Sequence, residues 1–299
     1  METLNILLEK RAVFRVSGLK CVEFLNNILT ADLSKLVPNE TTPCALLSPQ
    51  GRILFDMLLS INTSNDDSKI ISINIECDKN QTHDLIQKIN IYNLRKEVEI
   101  EKTGYKVFVT NNNIQNSNLF TDRRFFNQDI KRDYDIDKTK LKTNSDENIY
   151  NFLRFKSCVL EGPLEILANT TLPSEINLDL LDGISFDKGC FIGQEVNARI
   201  KWKGLVKNKY VPIKFKYRNL SNLNFDEIED KRLLLNEIEI GELVSITQNT
   251  IKDFFYGIAK VRLSKLYLFE NDDNLKCNLL QSKVSIIFPE YMLPLPKKI

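Results

Sequence analysis

The hydrophobic positions change rhythm three times along the chain. Ala12–Val16 reads as a short strand that ends in a turn at Ser17-Gly18. Val22, Leu25, Ile28, Leu29, Leu33 and Leu36 then recur near the spacing of a helix, and Pro38 and Pro43 punctuate its end. From residue 52 the pattern turns to strands. Arg52–Ile61 is largely apolar, and Ile71, Ile73, Ile75 and Cys77 alternate with Ser72, Asn74 and Glu76 as in a half-buried strand. Leu85, Ile86 and Ile89 mark a helix, after which Glu97–Glu101 and Lys106–Val109 return to strand. That β-β-α-β-β order predicts a small antiparallel sheet with a helix packed on it.

Asn111–Asn118 reads as a loop. The charged stretch Ile130–Glu147 reads as an exposed helix with a loosely ordered connection, its alternating signs facing solvent. Short strands resume at Lys209–Phe215, Ile240–Thr247, Tyr256–Arg262 and Lys283–Phe288. Their spacing predicts a terminal β-barrel or sandwich. The chain shows no internal repeat.

Composition narrows the function classes more than the fold. The 299 residues are enough for two or three compact units. Lys+Arg (41) and Asp+Glu (40) nearly cancel, so no global field draws the chain to nucleic acid or an anionic membrane. No apolar run is long enough to span a bilayer, and the first residues resemble neither a secretory signal nor an organellar presequence. The expectation is a cytoplasmic protein, with the mitochondrial matrix as the alternative for a processed organellar one. Six scattered cysteines without a C-x-x-C favour reduced thiols. The single histidine, His83, sits at a polar helix start and reads as a surface residue, and no metal ligand set is predicted.

The chemistry concentrates in Lys188-Gly189-Cys190-Phe191-Ile192-Gly193-Gln194-Glu195. Two glycines bracket a cysteine, and the stretch Gln194–Lys203 follows. If Gly193 opens a helix there, Cys190 lies before its N-terminus, the end that favours an anionic sulfur, and Lys188 pushes the same way. A buried, inert cysteine between turn glycines fits the same pattern. Glu195 and Arg199 stand i, i+4, either as an exposed ion pair or with Glu195 free to accept two hydrogen bonds from an amidine-like edge such as that of a pterin. Arg199, Lys201, Lys203, Lys207 and Lys209 form a basic run that is either a solvated face or a seat for a polyanion. Trp202 within it either stacks on a flat ring or packs in the core.

The octapeptide, with Ala198-Arg199 and Gly204 behind it, resembles the signature of YgfZ-type folate-binding proteins, iron–sulfur maintenance relatives of the glycine-cleavage T-protein (aminomethyltransferase). Val16-Ser17-Gly18, Thr30-Ala31-Asp32, Ser48-Pro49-Gln50-Gly51-Arg52-Ile53, Leu172-Pro173-Ser174-Glu175, Gly241-Glu242-Leu243 and Gly257–Val261 resemble other family segments in the expected order.

The resemblance implies an α+β, T-protein-like three-domain ring. Residues 1–50 and 145–208 would form a discontinuous folate-binding domain, 51–144 a ferredoxin-like insertion, and 209–299 a C-terminal β-barrel. It implies tetrahydrofolate as cofactor and iron–sulfur carrier or client proteins as partners. The expected function is support of [4Fe–4S] protein maturation or repair, more a binding factor than an enzyme. Tyr150 would stack on folate and Arg154 face it. Glu195 would read the pterin edge, Arg199 and Lys203 would meet the glutamyl tail, and Cys190 would supply the thiol.

Departures from the family pattern bear on the rivals. True aminomethyltransferases carry Gly-Gly-x-x-Asp-Asp where this chain has Gly51–Asp56, so Phe55 replaces one acid. Asp122-Arg123-Arg124 resembles an altered Asp-Pro-Arg motif, and Arg11 stands where some relatives place a stacking tryptophan. The rivals are a folate-dependent aminomethyl or one-carbon transferase and a tRNA-modification accessory using the basic run.

Overall fold

The computed structural model describes residues 4–63, 70–112, 119–126, 128–135, 146–218, 221–271, 277–280 and 282–295. In chain order these form β1 (Asn5–Leu7), β2 (Arg11–Ser17), α1 (Cys21–Asn26), β3 (Glu40–Leu47), β4 (Ile53–Thr63), β5 (Ile70–Asp78) and α2 (Thr82–Tyr92). Four short strands follow: β6 (Glu99–Lys102), β7 (Lys106–Thr110), β8 (Leu119–Asp122) and β9 (Lys131–Asp135). Next come α3 (Glu147–Lys156), α4 (Gln194–Lys203), β10 (Asn208–Phe215), β11 (Arg232–Leu235), β12 (Ile238–Ile246) and β13 (Phe255–Arg262). The chain closes with α5 (Leu263–Asn271), β14 (Cys277–Leu279) and β15 (Ser282–Ile286). Among the described residues no helix is long and apolar enough to cross a membrane.

The chain divides into two compact units. The first takes residues 1–147, 161–173 and 181–197; the second takes 148–160, 174–180 and 198–299. The first is built on a nine-stranded sheet in the order β1-β7-β9-β8-β3-β4-β5-β2-β6. The strand–strand–helix–strand–strand order expected over 52–109 is present, but these strands do not form a small sheet of their own. β4 pairs with β3, and β5 pairs with β2, whose other edge takes β6.

The two faces of that sheet differ in chemistry. Phe14 and Val16 of β2, Met57, Leu59 and Ile61 of β4, and Ile73 and Ile75 of β5 share one apolar cluster with Phe24, Leu25, Leu85 and Ile89 from α1 and α2. In register opposite, Val13 and Leu58 both align with Glu76, and Ala45 aligns with Asp56. The alternation in β5 therefore reads correctly for direction and wrongly for exposure. Ser72, Asn74 and Glu76 face away from the helices yet are all buried, and on that face Glu76 meets Tyr134 and Arg132 of β9, a strand of the same sheet.

Two further expectations are corrected. Helix α1 ends at Asn26 rather than near Leu36, although Ile28, Leu29 and Leu33 are buried as expected. Thr30 stops it: its N–H donates to the Ala45 carbonyl at 3.0 Å and its hydroxyl to the Gly183 carbonyl at 2.7 Å. A β-branched hydroxyl residue that finds such partners trades the helix for sheet contact. The charged stretch from 130 is not an exposed helix at its start. Lys131–Asp135 is strand β9, with Arg132 fully buried; residues 136–145 lie outside the described set.

In the second unit six strands close into a barrel, β10-β13-β12-β11-β14-β15. Register shifts between Leu233 and Leu234 and between Leu243 and Ser245 supply the bends that closure needs. Tyr210, Ile213, Phe215, Phe255, Ile258 and Val261 are among its buried side chains.

Candidate functional site

The octapeptide is held at both ends and free in the middle. At its start, the Lys188 ammonium donates to the Asn26 and Ala31 carbonyls at 2.8 and 2.6 Å, and also to the Leu29 carbonyl. These carbonyls lie at the end of α1 and in the turn just beyond it, where a lysine ammonium is a natural donor to backbone oxygens. Lys188 therefore turns into the fold and is an anchor rather than the sulfur's electrostatic helper that the sequence suggested.

Its other end is fixed by close backbone packing. Gly193 has φ +78°, and a Cβ there would lie 2.6 Å from the Ser48 carbonyl oxygen and 2.9 Å from the Gly51 Cα. The Asn197 side chain, one turn into α4, donates to the Gly51 and Gly193 carbonyls at 2.9 and 3.0 Å. Gly193→Ala thus meets a clash and an unfavourable φ together. Purified Gly193→Ala is expected to melt lower than wild type and to lose the protection of Leu47–Arg52 amides from hydrogen exchange.

Between the anchors, a Cβ at Gly189 would touch nothing within 4 Å, and Cys190 is exposed. The free thiols of Cys21, Cys44, Cys77 and Cys158 are all buried. Burial pushes the Cys77 thiol up to about 11 and raises Cys21 as well. Among these five, Cys190 alone is open to a reagent or a partner, with α4 beginning four residues on. At neutral pH, native thiol titration of wild type and Cys190→Ala is expected to differ by one equivalent. Cys21, Cys44, Cys77 and Cys158 should stay unreactive until denaturant is added.

Burial draws Lys188 down to about 8, against pulls from Cys44 and Asp32. The unfolded chain then holds that proton more tightly, so this group's contribution to stability rises as pH climbs from about 8 to 10.5. Lys188→Met is expected to cost about 1–3 kcal/mol near neutrality, since it strands buried carbonyls. Urea titrations should show wild type gaining on the variant across that pH window.

The remaining candidate residues fall into two groups. Glu195, Arg199 and Lys203 are exposed and recur every four residues along α4. Tyr150 and Arg154 are buried in the second unit. The Arg154 guanidinium donates to Asn151 Oδ1 at 2.8 Å and lies 4.3 Å from the centre of the Phe155 ring. Trp202 is exposed, so it packs in no core. Lys209 leaves the basic run, because its ammonium is buried and donates to the Ser174 carbonyl and to Asn177 Oδ1 at 2.6 and 2.8 Å.

The polar face of the nine-stranded sheet carries a charge network that no sequence pattern announced. Arg11 Nε donates to Glu76 Oε1 at 2.8 Å, and the Tyr134 hydroxyl donates to Glu76 Oε2 at 3.0 Å. Arg124 holds Asp122 through two bonds of 2.9 and 2.7 Å and reaches Glu161 at 2.7 Å. Arg132 lies 3.2 Å from Asp122 and 2.8 Å from Glu161. The altered Asp122-Arg123-Arg124 motif is thus a buried bidentate pair.

Asp56 sits at the edge of this network with its side chain 14% exposed, 3.9 Å from Arg11. Its carboxylate accepts the Gly162 N–H at 3.1 and 3.2 Å, and burial holds its pKa above the ordinary carboxylate value despite Arg11. Phe55, its strand neighbour, packs against the apolar cluster on the opposite face. An acid at 55 would point into that cluster, so Phe55 removes no proton-handling group from the polar face. Among the described residues no group of three or more His, Cys, Asp or Glu is placed to hold a metal ion.

No profile of a known protein family matches the chain. It is 24% identical over 249 residues to a Dictyostelium discoideum protein named iron-sulfur cluster assembly factor IBA57 homolog, mitochondrial, covering 69% of this chain and 61% of that one. A Neurospora crassa protein of the same name is 27% identical over 229 residues, covering 69% and 52%. A Phaeosphaeria nodorum protein of that name is 43% identical over 70 residues, covering 23% and 17%. The chain spans about half to three fifths of the length of the first two. The structure is similar to the crystal structure of glycine cleavage system aminomethyltransferase T from Bartonella henselae, with a TM-score of 0.69 and 13% identity over 97% of this chain and 86% of that one. At that identity the likeness shows the fold: mixed α and β layers of the aminomethyltransferase type.

Proposed function

We propose that this chain is a tetrahydrofolate-binding iron–sulfur assembly factor of the mitochondrial matrix, lending the Cys190 thiolate to a [4Fe–4S] cluster being built or repaired on a partner. The carrying observation is the exposed Cys190 held between two anchors while four other thiols are buried. A cluster takes about four ligands, so one thiol serves only when carrier or client proteins bring the rest. The names of the similar proteins support the cluster role, and also favour the matrix over the cytoplasm expected from composition.

The folate part rests on the donor set. Glu195 is exposed and suited to an amidine-like edge, and Arg199 and Lys203 are exposed cations suited to carboxylates. Those three fit the ligand's chemistry. Tyr150 and Arg154 are buried in the second unit and stand outside that donor set. Calorimetric titration with tetrahydrofolate is expected to show saturable binding that Cys190→Ala retains and that Glu195→Gln weakens by about tenfold, or about 1.4 kcal/mol. Absence of heat at any ligand concentration would remove folate from the proposal.

A one-carbon transferase is the second reading, and Asp56 keeps it alive: a partly open carboxyl with a raised pKa suits proton handling. It requires turnover of a methylamine-type donor with tetrahydrofolate, lost in Asp56→Asn. Without such turnover the binding-factor reading stands alone.

A further inference from the structure

A cavity opens in the first unit where β6 leaves β2. β6 pairs with Phe14–Ser17 and stops at Lys102, so the same edge of β2 at Arg11–Val13 lies beyond its reach. The chain turns at Gly104, with φ +69°, and crosses to β7, which pairs with β1. The space left between these strands encloses about 280 Å³. Leu7, Leu8, Val13 and Tyr105 give it apolar walls. Lys79, Lys102 and Lys106 line it as well, and the acid on the lining is Glu9.

The cations of this cavity are not spent on the protein's own acids. Among the described residues the side chains of Lys79, Lys102 and Lys106 make no ion pair. Glu101, the acid next to Lys102, stands 3.9 Å from Arg15 instead. Arg11 also lines the cavity and is only 7% exposed. Its Nε donates to Glu76, but Nη1 and Nη2 are buried with no hydrogen-bond acceptor among the described residues. Asp56 stands 3.9 Å from Nη1, beyond hydrogen-bond reach. Buried donors are normally paired, and two unpaired ones on a lining arginine call for an acceptor.

The charge of Arg11 faces Glu76 and Asp56, so the balance of the cavity rests on the lysines. Three ammonium groups against one carboxylate leave two positive charges. A phosphate monoester, at about −1.5 to −2 near neutral pH, matches that excess better than a single carboxylate does. The volume lies at the small end for ligand sites, which suits a body of one or two rings.

We propose that this cavity binds a small organic phosphate monoester, at a site separate from the α4 donors assigned to tetrahydrofolate. The apolar body lies against Leu7, Leu8, Val13 and the Tyr105 ring. The phosphate meets Lys79, Lys102 and Lys106 in charge-assisted hydrogen bonds, and Arg11 supplies the spare donors.

Phenyl phosphate is the probe, titrated into the full chain labelled at its leucine and valine methyls. The methyl NMR signals of Leu7, Leu8 and Val13 are expected to shift saturably at millimolar probe, while those of the barrel stay in place. Benzoate should bind at least about tenfold more weakly, and the double variant Lys79→Ala/Lys102→Ala should weaken phenyl phosphate by at least about tenfold. Both lysines are exposed, so that variant should melt as wild type does.

The assignment is overturned by the lack of a saturable shift, by benzoate binding as tightly as the ester, or by wild-type affinity in the double variant. Shifts centred on Val196 rather than Val13 would put the phosphate on α4. Displacement of the probe by tetrahydrofolate would make the cavity part of the folate site. Either result removes the separate site, whereas probe binding that persists in a chain showing no heat with tetrahydrofolate keeps it and removes only folate.

Discussion

Cys190→Ala is expected to leave [4Fe–4S] enzymes at background activity in a cell that depends on this chain, while the variant folds and melts as wild type does. The two halves of that result have separate physical causes. Cys190 is exposed, and its neighbour Gly189 touches nothing within reach, so losing the sulfur opens no cavity. Substitutions at such positions usually stay within about 0.5 kcal/mol of neutral. The anchors at Lys188 and Gly193 do not involve the sulfur and hold the loop in place. What disappears is a soft sulfur ligand, and no other described thiol is exposed to replace it. Cys190→Ser, which keeps the shape and exchanges sulfur for oxygen, should be nearly as inactive as the alanine. Full activity in either variant would place the chemistry outside the octapeptide. Activity in serine but not alanine would indicate a hydrogen-bonding role instead.

Arg132→Met is expected to be the most destabilising single change in the first unit. Arg132 is fully buried and faces Glu76 at 3.6 Å, Asp122 at 3.2 Å and Glu161 at 2.8 Å. Methionine fills much of the volume but leaves three buried carboxylates with one cation fewer. Breaking a buried ion pair from one side costs about 3–5 kcal/mol, which for a unit of this size lowers the melting temperature by roughly 10 °C. Denaturant midpoints measured by circular dichroism would register it. Adding Glu161→Gln should recover part of the loss, because the two residues share one network.

The same network sets an acid-side limit. Burial raises the Asp122 carboxyl, but the charges and hydrogen bonds of Arg124 and the charge of Arg132 outweigh it and hold the group below its ordinary 3.8. A carboxylate depressed in this way contributes stability that is present above its unfolded pKa and lost as pH falls through its folded one. Wild type should therefore lose stability below about pH 4, and Arg132→Met should show a shallower loss there.

Local pattern carried a good deal of this protein. The octapeptide stood out through its resemblance to a family signature, since its glycines and cysteine by themselves fit an inert buried thiol equally well. Helix α4 begins directly after Gly193, where the glycine implied it would. The strand–strand–helix–strand–strand order, the position of α2 with His83 exposed at its start, and a terminal run of short strands were all visible as alternation and spacing. These features are local, decided by residues a few positions apart.

Everything decided by what covers a face required the fold. In β5 the alternation of Ile73 and Ile75 with Asn74 and Glu76 gave the two directions but not which was wet, and both proved dry. The charged run beginning near Lys131 looked solvated because its partners, Glu76 and Glu161, lie far off in sequence. Lys188 looked like a companion to the thiol until its ammonium was found on carbonyls of Asn26, Leu29 and Ala31. The sequence by itself thus determined where the candidate cysteine lies and how the surrounding elements alternate. The tertiary structure alone decided that Cys190 stands exposed between two anchors, because burial and long-range hydrogen bonds belong to no single segment of the chain.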